Sequence, residues 1–334
     1  GRGLRRAKLN EITRRAADGT LAAQQWAVAA KLFNGDNEID IGTGCEIGEA
    51  SENGSNGRDK RVTKIDGTVV KNQAELGHYT NAQWLTPQMD RLFLEGASGR
   101  RFFVDQLIYG LDPEHAGPVA AYNHSLRNRN KLLREGNFDP EWFDSIEESL
   151  ARQGVAIAVR RLEVVARLQA VCRASSAAFP GAEISMIGQV EGWLANEPAL
   201  AAEDHLREAL RACRQSDASG SATSVGPHRS DFAVRHGETG MTADLCSTGE
   251  QKALLIGIVL ATARLQTEER GYTPLLLLDE ITAHLDKARR TSLFDIILDL
   301  GAQAWITGTE DEIFAPLGKQ VQHFAVNQGE IEKL

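Results

Sequence analysis

The chain has 334 residues, of which 42% are apolar and 25% charged, and carries a formal net charge of −9. That mixture suits one large or two modest globular domains and excludes disordered, collagen-like and disulfide-scaffold classes. The acidic balance argues against a protein that coats nucleic acid indiscriminately, although clustered basic residues can still form a local phosphate-binding face. The longest apolar run, Ala253 to Ala263, contains Gly257 and Thr262 and is too short to span a bilayer, and no signal-peptide pattern occurs. Cys45, Cys172, Cys213 and Cys246 are widely spaced with no C-x-x-C. Reduced, mostly buried thiols and a cytoplasmic location without a membrane partner are expected.

In chain order, residues 1 to 15 hold Arg2, Arg5, Arg6, Lys8, Arg14 and Arg15 against Glu11. Glu38 to Gly42 and Arg61 to Val70 alternate polar and apolar residues with period two and predict antiparallel strands, separated by a polar solvent loop over Ser51 to Lys60. Gly42-Thr43-Gly44 with Gly48 only superficially resembles a dinucleotide loop, because no helical pattern follows, and is expected to be a strand-end turn. From Arg101 to Arg214 the pattern becomes helical. Val119, Tyr122, Leu126 and Leu133 form one stripe; Val159, Leu162 and either Val165 or Ala166 form another, with Gln169 as a polar interruption. Arg127, Arg129, Lys131 and Arg134 follow one another in the first stripe's helix without an acid between them, either a phosphate-binding face or a solvated helix face. The Ser/Gly/Ala/Asp-rich run Ser216 to Gly226 reads as a crossing back, and Phe232 to His236 as a short strand.

Ser247-Thr248-Gly249-Glu250-Gln251-Lys252 precedes an apolar helical run. Ser247 and Glu250 have capping-box spacing, and a helix N-terminus presents free amides and partial positive charge suited to a phosphate. Leu275 to Leu278 then form an apolar run that ends in Asp279 and Glu280, which suits a strand of a parallel sheet delivering two carboxylates to its carboxyl edge. In P-loop NTPases the first acid of such a pair holds Mg²⁺ and the second polarises the attacking water. Ile281 to Asp286, with His284, resembles the D-loop of ABC-type ATPases, and Asp286 can cap the next helix, whose Leu293, Ile296, Ile297 and Leu300 are core candidates. Ala304 to Thr309 predicts a strand beside the acid-tipped one. Thr307 falls where transporter ATPases carry a γ-phosphate-sensing His, and can donate one hydrogen bond without carrying charge.

No stretch fits G-x-x-x-x-G-K-[ST], and the chain opens on Gly1-Arg-Gly-Leu-Arg-Arg. The first strand and phosphate loop are therefore expected upstream of residue 1. As a whole the chain resembles the RecF family of bacterial DNA replication and repair ATPases, related to SMC proteins, from residue 1 to about 330. The motifs that carry the likeness are Trp84-Leu-Thr-Pro-Gln-Met-Asp-Arg-Leu-Phe93, Gly99-Arg-Arg-Phe-Phe-Val-Asp105, Tyr122 to Leu133 with Arg129-Asn130, Gly226-Pro-His-Arg-Ser-Asp231 and Ser247 to Lys252.

The resemblance implies an α/β P-loop NTPase of the ABC head type, with residues 1–100 and 216–334 as head and 101–215 as an inserted helical lobe. It implies ATP and Mg²⁺ as cofactors, with Gln88 and Asp279 near the metal, Glu280 as base and Thr307 beside them. Ser247, Gly249, Glu250 and Asp286 would serve nucleotide binding across an ATP-driven homodimer, and Arg127, Arg129, Lys131 and Arg134 would face DNA. Gapped DNA and RecR are the implied partners, RecA loading the outcome and slow, DNA-stimulated hydrolysis the activity. A transporter's nucleotide-binding subunit, or a non-catalytic DNA- or RecR-binding fragment, are the alternatives; His228 and Arg229 have no assigned role.

Overall fold

The computed structural model describes residues 9–13, 15, 18, 20, 23, 25–34, 37–46, 60–70, 73–136, 139–173, 179–283, 285–327 and 330–334. Among the sequence features, Gly1 to Arg6, Lys8, Arg14, Gly48, residues 51–59 of the polar loop and His284 lie outside them. The chain divides into two compact units, residues 1–80 and 81–334.

The first unit is an antiparallel sheet of β1 (Ala27–Asn34), β2 (Asn37–Glu46), β3 (Lys60–Ile65) and β4 (Thr68–Val69), ordered β1-β2-β3-β4. Asp66 and Gly67, at φ 48° and 78°, form the two-residue turn between β3 and β4; Asp-Gly suits it because both central residues need positive φ. Asp66 exchanges hydrogen bonds with Asp40, donating its N–H to the Asp40 carbonyl and accepting the Asp40 N–H on its carboxylate, each at 2.8 Å. Gly42 and Gly44 lie inside β2 rather than in a turn. A Cβ on Gly44 would lie 2.9 Å from the Trp26 carbonyl oxygen, so this glycine serves close backbone approach.

The second unit begins with β5 (Ala82–Leu85), a 3-10 turn (Pro87–Arg91) and the helices α1 (Ala97–Leu111), α2 (Ala116–Glu135) and α3 (Pro140–Arg173). Next come β6 (Ala182–Ile187), α4 (Gln189–Leu194), α5 (Ala199–Ala212), α6 (Arg214–Gly220) and β7 (Asp231–His236). It closes with α7 (Thr248–Arg270), β8 (Leu275–Leu278), α8 (Lys287–Asp299), β9 (Ala304–Ile306), β10 (Phe324–Asn327) and β11 (Glu330–Lys333). β8 lies between β5 and β9, parallel to both, while β6 with β7 and β10 with β11 form antiparallel pairs.

Two of these elements differ from what the sequence predicts. β6 interrupts the region expected to be helical. Its Ala182, Ile184 and Met186 are buried, while Gln169, the expected polar interruption of the α3 stripe, donates to the Ala182 carbonyl at 3.1 Å and accepts the Ile184 N–H. The Ser/Gly-rich crossing is in part the helix α6, which tertiary contacts hold despite poor local propensity.

The main core joins Leu85, Phe103, Ile108, Val164, Leu168, Phe232, Leu254, Ile258, Leu276, Leu278 and Leu293, so α1 and the C-terminal part of α3 pack with the parallel sheet and α7. α7 is buried from Gln251 to Ala263 with only Gly257 partly exposed, as its all-round apolar sequence requires. A second core of Tyr122, Leu150, Ala158, Val190 and Leu206 fills the helical lobe. On the other face of the parallel sheet Trp84, Leu277 and Trp305 are neighbours in register and exposed.

The turn at residues 226–231 ties lobe to sheet with nearly every group it has. Gly226 adopts φ 132°, and a Cβ there would collide with the Tyr122 hydroxyl. Tyr122 donates its hydroxyl proton to His228 Nδ1 at 2.6 Å, and His228 Nε2–H donates to the Thr223 carbonyl at 2.9 Å, which Arg229 also engages at 2.9 and 3.1 Å. Arg161 donates to the Pro227 carbonyl, Arg101 to the Ser230 carbonyl, Ser230 to the Glu191 carboxylate, and Arg100 grips Asp231 with two bonds of 2.7 and 2.8 Å. His228 and Arg229 therefore order this turn.

Burial, with Arg229 and Arg101 adding to it, pushes the His228 ring from 6.5 down to about 4. The native state thus favours the neutral ring: its contribution is complete above pH 6.5 and is lost as pH falls through 4. Urea unfolding from pH 7 to 4 should show a steeper loss of stability in the wild type than in His228→Gln; identical slopes would exclude His228 as the source.

Candidate active site

Because parallel strands end at the same edge, pairing β8 with β5 and β9 brings three chain segments together. Leu85 is opposite Leu278, and Leu278 opposite Ile306. The ladder runs one step further: Asp279 N–H donates to the Leu85 carbonyl at 2.9 Å and Thr307 N–H to the Leu278 carbonyl at 3.0 Å. Gln88, three residues beyond Leu85 on the 3-10 turn, is exposed near this edge.

The Thr307 hydroxyl is the link between the acids. It donates to Asp279 Oδ1 at 2.7 Å and accepts the Glu280 N–H at 3.0 Å. Glu280 adopts φ 49°, a left-handed conformation that costs a non-glycine residue about 1 kcal/mol or more and persists only where its surroundings hold it. Its carbonyl oxygen is held too, accepting from Lys252 Nζ at 3.2 Å and from the Ala283 N–H at 3.1 Å. Both acids are exposed, and the Glu280 carboxylate has no hydrogen-bond partner among the described residues. A carboxylate fixed at one oxygen by a hydroxyl, next in sequence to a second, unpartnered carboxylate, fits a hard cation such as Mg²⁺ and its water ligands.

α7 starts as its sequence requires. Ser247 N–H and Oγ–H donate to Glu250 Oε2 at 2.8 and 2.7 Å, and Glu250 N–H returns to Ser247 Oγ at 3.4 Å, completing the capping box. The Ser247 hydroxyl and amide hold the Glu250 carboxyl below its usual range. Gln251 and Lys252 turn inward; Gln251 donates to the Cys246 carbonyl at 2.8 Å, and Lys252 Nζ lies 3.3 Å from Asp90 Oδ2. Gly249 is left half-buried at the turn, and Asp286 caps α8 by accepting the Arg289 N–H at 2.8 Å. Lys252 and Asp90 are legible as members of motifs, but a partly buried ion pair 162 residues apart in sequence leaves no local pattern.

In the lobe, Arg127, Lys131 and Arg134 are exposed along α2, with Lys131 3.7 Å from Glu135. Arg129 does not join them. It is fully buried, donating to Glu147 at 3.0 Å, to Asp217 and the Leu210 carbonyl each at 2.7 Å and to Thr223 at 2.8 Å, so its guanidinium cannot reach a DNA phosphate. Its place is explained by spacing: Tyr122, Leu126, Arg129 and Leu133 share the inward stripe.

An acid-tipped parallel strand, a capped helix whose N-terminus precedes it and a helical lobe carried on the same core are the parts of the ABC-type P-loop ATPase head fold, of mixed α/β class. A solved structure of the recombination mediator protein RecF with ATPrS in the RecFOR pathway superposes with a TM-score of 0.81 at 23% identity, covering 99% of this chain and 84% of that one. The RecF-ATP structure gives 0.75 at 23% identity, over 96% of this chain and 84% of that one. The DNA replication and repair protein RecF of Agrobacterium fabrum is 44% identical over 333 residues, 99% of this chain and 85% of the relative. That of Mesorhizobium japonicum is 42% identical over 333 residues, again 99% of this chain and 85% of the relative. No protein-family model matches the chain. The chain belongs to the RecF family of DNA replication and repair proteins.

Replacing Arg129 by Met should cost about 3–5 kcal/mol in urea unfolding, because Asp217 is left buried without its charged partner and Glu147 keeps only Arg214. Arg127→Ala on the exposed side of the same helix should change stability by less than about 0.5 kcal/mol.

Proposed function

We propose that the protein is an ATP-dependent DNA-binding protein acting at single-strand gaps, in which two heads join around ATP and slow hydrolysis releases them. The observation that supports this most is the Asp279–Thr307–Glu280 arrangement, which presents two carboxylates at one sheet edge with their backbone fixed. Bound ATP with Mg²⁺ supplies the phosphoanhydride to be cleaved and the charge that neutralises its phosphates. Asp279 and Gln88 would hold the metal, and Glu280 would take the proton of the attacking water. Thr307, expected among the catalytic groups, is proposed to position both acids through its hydroxyl. Ser247, freed from Glu250, and the Gly249 amide meet the terminal phosphate held by the second copy, where the α7 N-terminus adds favourable charge. Asp286 orders the loop between the acids and α8.

The proposed organisation is a head of residues 1–100 and 216–334 with residues 101–215 as the lobe, in the cytoplasm. Arg127, Lys131 and Arg134 face the DNA backbone there, RecR is the protein partner and RecA loading the outcome, with DNA stimulating hydrolysis. The RecFOR pathway named for the solved RecF structures supports this assignment. No helix among the described residues is long and apolar enough to cross a membrane.

Residues 1–334 contain no G-x-x-x-x-G-K-[ST] stretch, so turnover is measured with a phosphate-loop segment placed ahead of residue 1. There Glu280→Gln should keep ATP binding and slow hydrolysis by about 10²-fold or more; unchanged turnover removes Glu280 as base. For DNA, log affinity of the chain should fall linearly with log salt. Changing Arg127, Lys131 and Arg134 together to Ala should flatten the slope by about 0.9 for each DNA phosphate that the chain then leaves unneutralised. A salt-insensitive affinity would refute the DNA-binding face.

A further inference from the structure

Lys252 lies early in α7, with its side chain only 5% exposed. A buried ammonium is costly unless paired, and an apolar side chain would fill the same space without that cost, so its contacts require a reason. Those contacts are specific. Nζ lies 3.3 Å from Asp90, two residues beyond Gln88 on the 3-10 turn, and 3.2 Å from the carbonyl oxygen of Glu280. One ammonium thus touches the turn that carries Gln88 and the backbone of the acid pair, from the helix whose N-terminus bears the capping box.

The geometry of the Glu280 backbone gives that contact its meaning. Its N–H belongs to the peptide plane before Cα and its carbonyl to the plane after it, and φ and ψ are the rotations between those planes. Thr307 Oγ1 holds the first plane and Lys252 Nζ holds the second. With both planes held, φ stays at 49° and the direction of the Glu280 side chain is set.

We infer that Lys252 is a positioning residue that couples the start of α7 to the acid pair, so that a displacement of the helix N-terminus is passed to the Glu280 carboxylate through its own backbone. The coupling rests on the reading of Glu280 as the base and of the α7 N-terminus as the phosphate contact; the clamp on the peptide does not. A contact made in trans at Ser247 and Gly249 would then act in cis on the residue that activates water, with Lys252 as the link between them.

Hydrogen exchange on the chain tests the clamp. In Lys252→Met the amides of Glu280 and Ala283 should exchange roughly tenfold faster, the effect of losing one hydrogen bond to a charged donor, while Leu260 to Arg264 keep their protection. Lys252→Arg should restore the wild-type rates. If Lys252→Met unfolds because Asp90 is left alone, Lys252→Met with Asp90→Asn removes the orphaned carboxylate and the same amides are read. Unchanged exchange at Glu280 and Ala283 in the folded variant, or deprotection spread equally over α7, overturns the clamp.

Turnover, with a phosphate-loop segment ahead of residue 1, tests the coupling. Lys252→Met should slow hydrolysis without weakening ATP binding, and should add nothing in a Glu280→Gln background. Equal loss in both backgrounds overturns the coupling. If Glu280→Gln alone leaves turnover unchanged, the reading of Glu280 falls and the coupling with it, while the exchange rates still decide whether Lys252 holds the peptide.

Discussion

Parallel pairing of β8 between β5 and β9 is the constraint from which the site follows. In an antiparallel sheet the chain ends would alternate between two edges; here Leu85, Leu278 and Ile306 finish together, and the segments that follow carry Gln88, the acid pair and Thr307. The extra ladder bonds from Asp279 to Leu85 and from Thr307 to Leu278 extend that order past the strands themselves. The strands are short, so they depend on what lies beneath: Leu276 and Leu278 share the main core with Leu254, Leu255, Ile258 and Val259 of α7.

The lobe is joined to this core by polar groups as well as apolar ones. Asp105 is an example: burial alone would push its carboxyl up, but hydrogen bonds from His115 and Arg161 hold it below the usual carboxylate range. Arg161 then reaches the Pro227 carbonyl at 2.9 Å, so the ion pair and the turn at residues 226–231 share one guanidinium. Arg129 plays the same part nearer the far end of the lobe, with α3, α5 and α6 all supplying its acceptors. Such buried pairs add less stability than apolar packing of equal volume, but they admit few alternative arrangements of the helices.

Much of the site is legible in the chain because its signals are local. Four leucines followed by two acids, Ser247 three residues before Glu250, and Asp286 at the head of an amphipathic segment each state their geometry within a few residues. β6 is hidden because Ala182 to Ile187 is one short period-two run amid long helices, and it is defined by pairing with β7 some fifty residues later. Residue type places Arg129 on the surface, whereas its spacing from Tyr122 and Leu133 puts it inside; the acceptor that makes burial tolerable, Asp217, is 88 residues away. Position in the motif makes Thr307 one hydrogen-bond donor facing a phosphate, and it uses that donor on Asp279 instead. The interactions that decide these cases are non-local, and composition and periodicity do not record them.

α3 is a single helix of 34 residues that contributes Leu150 and Ala158 to the lobe's core and Val164 and Leu168 to the core beneath the sheet. At 1.5 Å per residue it is about 50 Å long, so a tilt of only about 5° at one end moves the other by about 4 Å. A small change of angle where α3 meets the sheet is therefore magnified at the lobe's far end, with leverage supplied by one rigid rod.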